Sequence, residues 1–190
     1  PDNTVEATFA AEGLTFGRDH NAATDLFSTT YSIDLGRPDP AVVSRALTWL
    51  RDVADGVVFE AAAVERERGV VLAEKQERDS DGRMTRAAAN RFRLGALRVT
   101  DRAPIGLESV LRSAPPAALE AFYRRWYRPE HAVLVVVSDL PEPALVAQIE
   151  QMFGSWRGVG PAPARAPYGQ PDVGRQLEVM TRPDGSGLTS

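Results

Sequence analysis

The run Val64-Glu65-Arg66-Glu67-Arg68-Gly69-Val70-Val71-Leu72-Ala73-Glu74 narrows what this chain can fold into more than any other stretch. It reads as the middle of an α-helix. Glu67 and Glu74 stand seven residues apart in it, so both carboxylates project from one stripe, which also carries Val70 and Val71. A carboxylate on an otherwise apolar face is costly to bury unless something positive meets it, and a metal ion would meet it well. The helical rise separates the two acids by roughly 10 Å, too far for both to hold one ion easily. One would be the ligand, with the other nearby. The plainer reading is a solvated helix face, in which Glu74 pairs with Arg78 four residues on.

The 190 residues suit one domain or one large piece of a bigger protein, with ordinary apolar content. A net charge of −4 argues against a nucleic-acid binder. No apolar run is long enough to span a bilayer, and no signal peptide is visible. Cysteine is absent, which excludes a disulfide framework and a thiolate metal site and leaves the redox compartment open.

Along the chain, residues 4–12 read as a helix stopped by Gly13, followed by extended pieces at Asp19–Thr24 and Thr29–Leu35. Apolar residues from Val43 to Ala54 recur at helical spacing, which predicts an amphipathic helix over 40–55. The acidic helix is expected over Glu60–Glu77, interrupted by Asp79-Ser80-Asp81-Gly82, with a further helix to Leu97. Pro115-Pro116 opens a helix that Arg128-Pro129 ends. His131–Ser138, with Val133 to Val137 apolar throughout, predicts a strand buried on both faces. Leu145, Ile149, Met152 and Phe153 mark another helix. The domain reading is a metallopeptidase-like core over 1–158, a Pro/Gly-rich linker over 159–172, and a new strand region over 173–190. The fold class is α+β, a largely antiparallel sheet covered by helices.

Several segments in this order resemble the pitrilysin/insulinase family of zinc metallopeptidases. Gly13 to Thr24 is similar to that family's glycine followed by an Asn-Ala-x-Thr strand, here Asn21-Ala22-Ala23-Thr24. Thr30 to Leu35 fits the paired strand. Glu67-Arg68-Gly69-Val70-Val71-Leu72-Ala73-Glu74 is similar to its Glu-Arg-Gly-Val-Val-x-x-Glu helix. Pro104-Ile105-Gly106 resembles its Pro-Ile-Gly loop, and Tyr127-Arg128-Pro129 before Val133–Val137 its Tyr-x-Pro transition into a strand. The resemblance covers about residues 1–158. It implies zinc held by two histidines of a His-x-x-Glu-His motif and a downstream glutamate, which corresponds to Glu74, with Glu67 one helical stripe earlier, outside the direct ligands. It also implies that Asn21, Ala22, Ala23 and Thr24 form an edge strand that pairs with an extended peptide substrate. A second homologous half, fused or separate, would close a chamber. The likeness to bacterial two-domain members implies a periplasmic location, with the cytoplasm as alternative.

The sequence departs from the family at its catalytic motif. It has two histidines, His20 and His131, and no His-x-x-Glu-His. Neither histidine imitates that motif, and both read as structural or surface residues. The motif and its general base are expected just upstream of Pro1, so no catalytic residue is assigned within this chain. Asp79, Asp81 and Gly82 hint at a calcium loop but lack its other ligands. Arg124 and Arg125 beside Trp126 and Tyr127 read as a helix end packed on a core rather than a nucleic-acid platform. Three functions remain open: part of a zinc endopeptidase, a non-catalytic peptide-binding or assembly half, and a generic α+β interaction domain with Glu67 and Glu74 as surface charges.

Overall fold

The computed structural model describes residues 4–11, 13–15, 17–36, 39–78, 81–95, 97–164 and 167–170. In chain order its elements are α1 (Thr4–Ala11), β1 (His20–Thr24), β2 (Thr29–Ile33), α2 (Pro40–Arg51), α3 (Ala61–Arg78), α4 (Asp81–Leu94), α5 (Glu108–Ser113), α6 (Pro116–Trp126) and α7 (Glu142–Phe153). The class is α+β and helix-rich. Among the described residues β1 and β2 pair antiparallel as a two-stranded sheet. The chain divides into two compact units, one of Pro1–Glu67 with Ser113–Arg165, the other of Arg68–Arg112 with Ala166–Ser190. The strand region expected over 173–190 lies outside the described residues.

The first unit holds every buried apolar side chain among the described residues. Helix α2 supplies much of that core because its local signals agree. Asp39 caps it by accepting from the N–H of Ala41 at 2.8 Å, Pro40 occupies its first turn, and Val42, Val43, Ala46 and Leu47 are buried. The helix expected to reach residue 55 instead changes at Asp52–Gly56 into one π-helical turn. Arg51 spans this change. Its guanidinium grips Asp55 at 2.5 Å and donates to the Met152 carbonyl at 2.9 Å, near the end of α7.

A run of aromatic contacts extends through the same unit. Phe9 of α1 lies 5.0 Å from the His20 ring and 5.8 Å from Trp49, which in turn meets Tyr31 edge-on at 6.2 Å. The Tyr31 and Tyr127 hydroxyls share a 2.7 Å hydrogen bond, and Tyr127 stacks 4.6 Å from Tyr123. Tyr123 is buried and spends its hydroxyl well: it donates to the Val53 carbonyl at 2.8 Å and accepts from the Val57 N–H at 3.4 Å. Its ring meets Phe59, just before α3, at 5.4 Å.

Arg128, just beyond α6, is only 3 % exposed, so its charge must be met inside the unit. Nη1 donates to the Val159 carbonyl at 2.7 Å, and Nη2 donates to Gly160 at 2.8 Å and to Glu130 at 3.0 Å. Glu130 is held below its usual carboxylate range, first by that bond. The guanidinium covers the place a β-carbon would occupy on Gly158. The start of the segment expected to be a linker is therefore tied down by a buried cation.

One expectation fails outright. His131 closes a short 3₁₀ turn (Pro129–His131), and residues 132–138 join no sheet among the described residues. Val133, Val135 and Val137 are 88 %, 78 % and 94 % exposed. An apolar run favours burial but does not supply the strand that covers it, and among the described residues nothing pairs with this one. The second unit follows its sequence signals more loosely. α4 stops at Leu94, short of Leu97, where Gly95 takes φ +49°, and α5 answers to no sequence signal singled out above.

Replacing Gly158 by alanine should displace the Arg128 guanidinium and destabilise the first unit by about 1–3 kcal/mol. The expected outcome is an earlier midpoint in urea unfolding followed by tryptophan fluorescence.

Candidate functional site

The hairpin positions the residues expected to meet a peptide. In β1–β2 the paired residues are His20 with Ile33, Asn21 with Ser32, Ala22 with Tyr31, Ala23 with Thr30 and Thr24 with Thr29. Two backbone bonds at the ends set the alternation: the Asp34 N–H donates to the Asp19 carbonyl at 2.6 Å, and the Asp25 N–H donates to Ser28 at 2.9 Å. Hydrogen-bonded pairs alternate along an antiparallel ladder, so Asn21 and Ala23 bond inward to β2 while the backbones of Ala22 and Thr24 face the outer edge. The Ala22 N–H is accordingly taken by its neighbour's side chain, Asn21 Oδ1, at 2.8 Å. Asn21, Ala22, Ala23 and Thr24 are all exposed and carry small or short side chains.

Both ends of the hairpin are braced. At the tip, Asp25 Oδ1 accepts from the N–H of Phe27 at 2.6 Å and of Ser28 at 2.8 Å, turning the chain in four residues. At the base, Asp19 Oδ2 accepts from the Thr15 N–H at 2.7 Å while its carboxylate is paired with Arg18. Gly17, at φ +81°, closes this turn by donating to the His20 carbonyl at 2.9 Å. The Arg18 bond and the Thr15 N–H hold the Asp19 carboxyl down at about 2. His20 is buried against Phe9, a structural place, and His131 is exposed 5.9 Å from the Trp126 ring.

The two acids of α3 sit differently from a buried stripe. α3 is unbroken from Ala61 to Arg78, passes from the first unit into the second, and has no buried residue. Glu67 is exposed, Val70 is 59 % exposed, and Glu74 is half-buried with Arg78 at 2.5 Å. Neither carboxylate is buried, so burial does not call for a counter-ion at either, and Glu74 already has one in Arg78. No group of three His, Cys, Asp or Glu side chains among the described residues is placed to hold a metal ion. A catalytic zinc takes three protein ligands and leaves a position open, so the described residues do not by themselves fit zinc.

At the end of α6, Arg124 pairs with Glu120 at 2.7 Å and the Arg125 guanidinium lies 5.6 Å from the Trp126 ring centroid. The sequence reading missed the Tyr31–Tyr127 bond and the burial of Arg128. The adjacency of Tyr127, Arg128 and Pro129 at a helix terminus was the available signal.

Residues 1–98 match the family described as Insulinase (Peptidase family M16), and residues 113–187 match its companion, Peptidase M16 inactive domain. The chain belongs to peptidase family M16. Within M16 it is 33 % identical over 150 residues to the probable zinc protease PqqL of Escherichia coli, an alignment covering 79 % of this chain and 16 % of that protein. It is 31 % identical over 138 residues to a zinc protease PQQL-like protein of Arabidopsis thaliana, covering 72 % of this chain and 14 % of the relative. The crystal structure of the first half of the periplasmic protease PqqL from E. coli superposes with a TM-score of 0.79 at 31 % identity, over 89 % of this chain and 36 % of that one. The complete PqqL structure gives 0.80 at 30 % identity, over 90 % of this chain and 19 % of that one. This M16 chain thus spans about a sixth of the curated relatives it matches. No helix among its described residues is long and apolar enough to cross a membrane.

Two outcomes are expected. Asp19 is depressed in the folded state, so its contribution to stability is present above the ordinary aspartate range and lost as pH falls through about 2. Between about pH 4 and 2, Asp19→Asn should therefore flatten the fall in unfolding midpoint relative to wild type. The purified 190-residue chain should carry no stoichiometric zinc by metal analysis and cleave no labelled peptide.

Proposed function

We propose that this chain is part of a zinc-dependent metalloendopeptidase that hydrolyses extended peptides, and that it contributes the substrate strand and one carboxylate of the metal centre. The observation that carries the reading is the open edge of β1, set in an M16 chain related to named zinc proteases. Asn21, Ala22, Ala23 and Thr24 receive the peptide. Ala22 and Thr24 offer backbone groups outward, and small side chains leave room for a strand to approach. Affinity then comes from main-chain hydrogen bonds, which favours broad selectivity.

In this reading Glu74 is the carboxylate ligand and Glu67 lies near the metal without binding it, while the remaining ligands and the general base lie outside these residues. The Arg78 pair is no obstacle, since a half-exposed i,i+4 pair is worth under about 1 kcal/mol and gives way to a stronger partner. The likeness to one half of PqqL supports a second homologous half that encloses the substrate, and PqqL's periplasmic description supports the same compartment here.

A second reading has its own support. Residues 113–187 match a domain described as inactive, which fits a non-catalytic half that binds peptide for a partner.

Glu74→Gln in the full-length protein separates the two. Under the peptidase reading, bound zinc and peptide hydrolysis fall together, by at least about tenfold. A wild-type protein with no zinc and no cleavage would establish the non-catalytic half. Ala22→Pro removes the outward N–H without touching the bonds to β2, and should weaken binding of a labelled unstructured peptide by about tenfold.

A further inference from the structure

The hairpin that offers the open edge is a two-stranded ribbon, and such a ribbon is marginal on its own in water. Something must fix its place. At its buried base His20 stacks on Phe9, but along the strand the attachment runs through Tyr31. Tyr31 is the cross-strand partner of Ala22, the residue whose N–H faces the outer edge. Cross-strand partners project to the same face, so whatever holds Tyr31 also holds the backbone of Ala22.

Tyr31 is held by Tyr127. Their hydroxyls meet at 2.7 Å and their rings cross edge-on at 6.4 Å. Burial first, and then this bond, push the Tyr31 phenol above its ordinary range, so it stays protonated at neutral pH. Tyr127 is itself rigidly placed. Its N–H donates to the Tyr123 carbonyl at 2.8 Å, and its ring stacks on the buried Tyr123. Tyr123 in turn bonds Val53 and Val57 and packs on Phe59, two residues before α3. One end of α6 therefore grips both the substrate hairpin and the approach to the acidic helix.

We propose that Tyr127 is a positioning residue, whose hydroxyl, through Tyr31, holds the outer edge of β1 ready for an extended peptide. The proposal rests on the peptide-binding reading of that edge. It adds that this edge is preorganised by a tyrosine 96 residues away in sequence. Binding an unbraced strand costs the ordering of that strand, so loss of the brace appears as weaker binding rather than as slower chemistry.

The test uses the full-length protein with Tyr31→Phe, Tyr127→Phe and the double variant, each of which keeps the ring and its packing. The dissociation constant of a fluorescein-labelled unstructured peptide should rise about three- to tenfold in each single variant. The double variant should bind like either single, because one bond is lost in every case. Bound zinc should stay at the wild-type level, any loss of hydrolysis should fall on KM rather than kcat, and the ladder amides of Asn21 and Ala23 should exchange faster. Wild-type peptide affinity and exchange in both single variants would overturn the positioning role, as would additive losses in the double. Ala22→Pro measured beside them keeps the two ideas apart. If it binds peptide like wild type, the edge-strand reading falls and takes the proposal with it. If it binds weakly while the tyrosine variants do not, the positioning role alone is wrong.

Discussion

Three long-range hydrogen bonds of the first unit start within six residues, from Tyr123 to Arg128. In that span one side chain binds the segment leading to α3, one binds the β1–β2 hairpin, and one binds the segment after α7. The chemistry suits the task. Tyrosine buries a large apolar ring yet keeps a polar tip, which stabilises the core only if that tip finds a partner, and both Tyr123 and Tyr127 find one. Arginine goes further, since a buried guanidinium is tolerated only where carbonyls and a carboxylate surround it. Val159, Gly160 and Glu130 do this for Arg128.

The arrangement separates two tasks within the chain. The hairpin has its ends braced by aspartates and its middle braced by a tyrosine pair, while among the described residues no strand pairs with its outer edge. Helix α3 is the reverse: regular, uncapped by any buried contact, and surfaced with charge. Its Glu74 is paired with a neighbouring arginine on the same helix, an interaction that water and salt weaken. A carboxylate in that condition is free to change partners.

Much of this was legible beforehand because it is local. The Asp39-Pro40 start of α2 and the hairpin over 20–33 rest on signals that act within a few residues. So does the helix bearing Glu67 and Glu74. The M16 resemblance was legible for a related reason: short motifs kept in order identify a family even when no one of them does. The unexpected features of the first unit are non-local. The π-helical turn after Arg51 accompanies a grip on the end of α7, about a hundred residues on. The valine run over 133–137 announced a buried strand, and burial needs a partner that periodicity cannot supply.

By itself, then, the sequence indicated most of the helices, the hairpin and the family, and singled out the acids and strand residues on which a peptidase function would rest. Tertiary structure decided their circumstances: Glu67 and Glu74 solvated rather than buried, Arg128 interior rather than exposed, Ala22 facing outward behind a tyrosine brace. The reason is physical. Propensity, capping and turn chemistry depend on neighbours along the chain, whereas exposure, hydrogen-bond partners and charge environment depend on which distant segments meet in space.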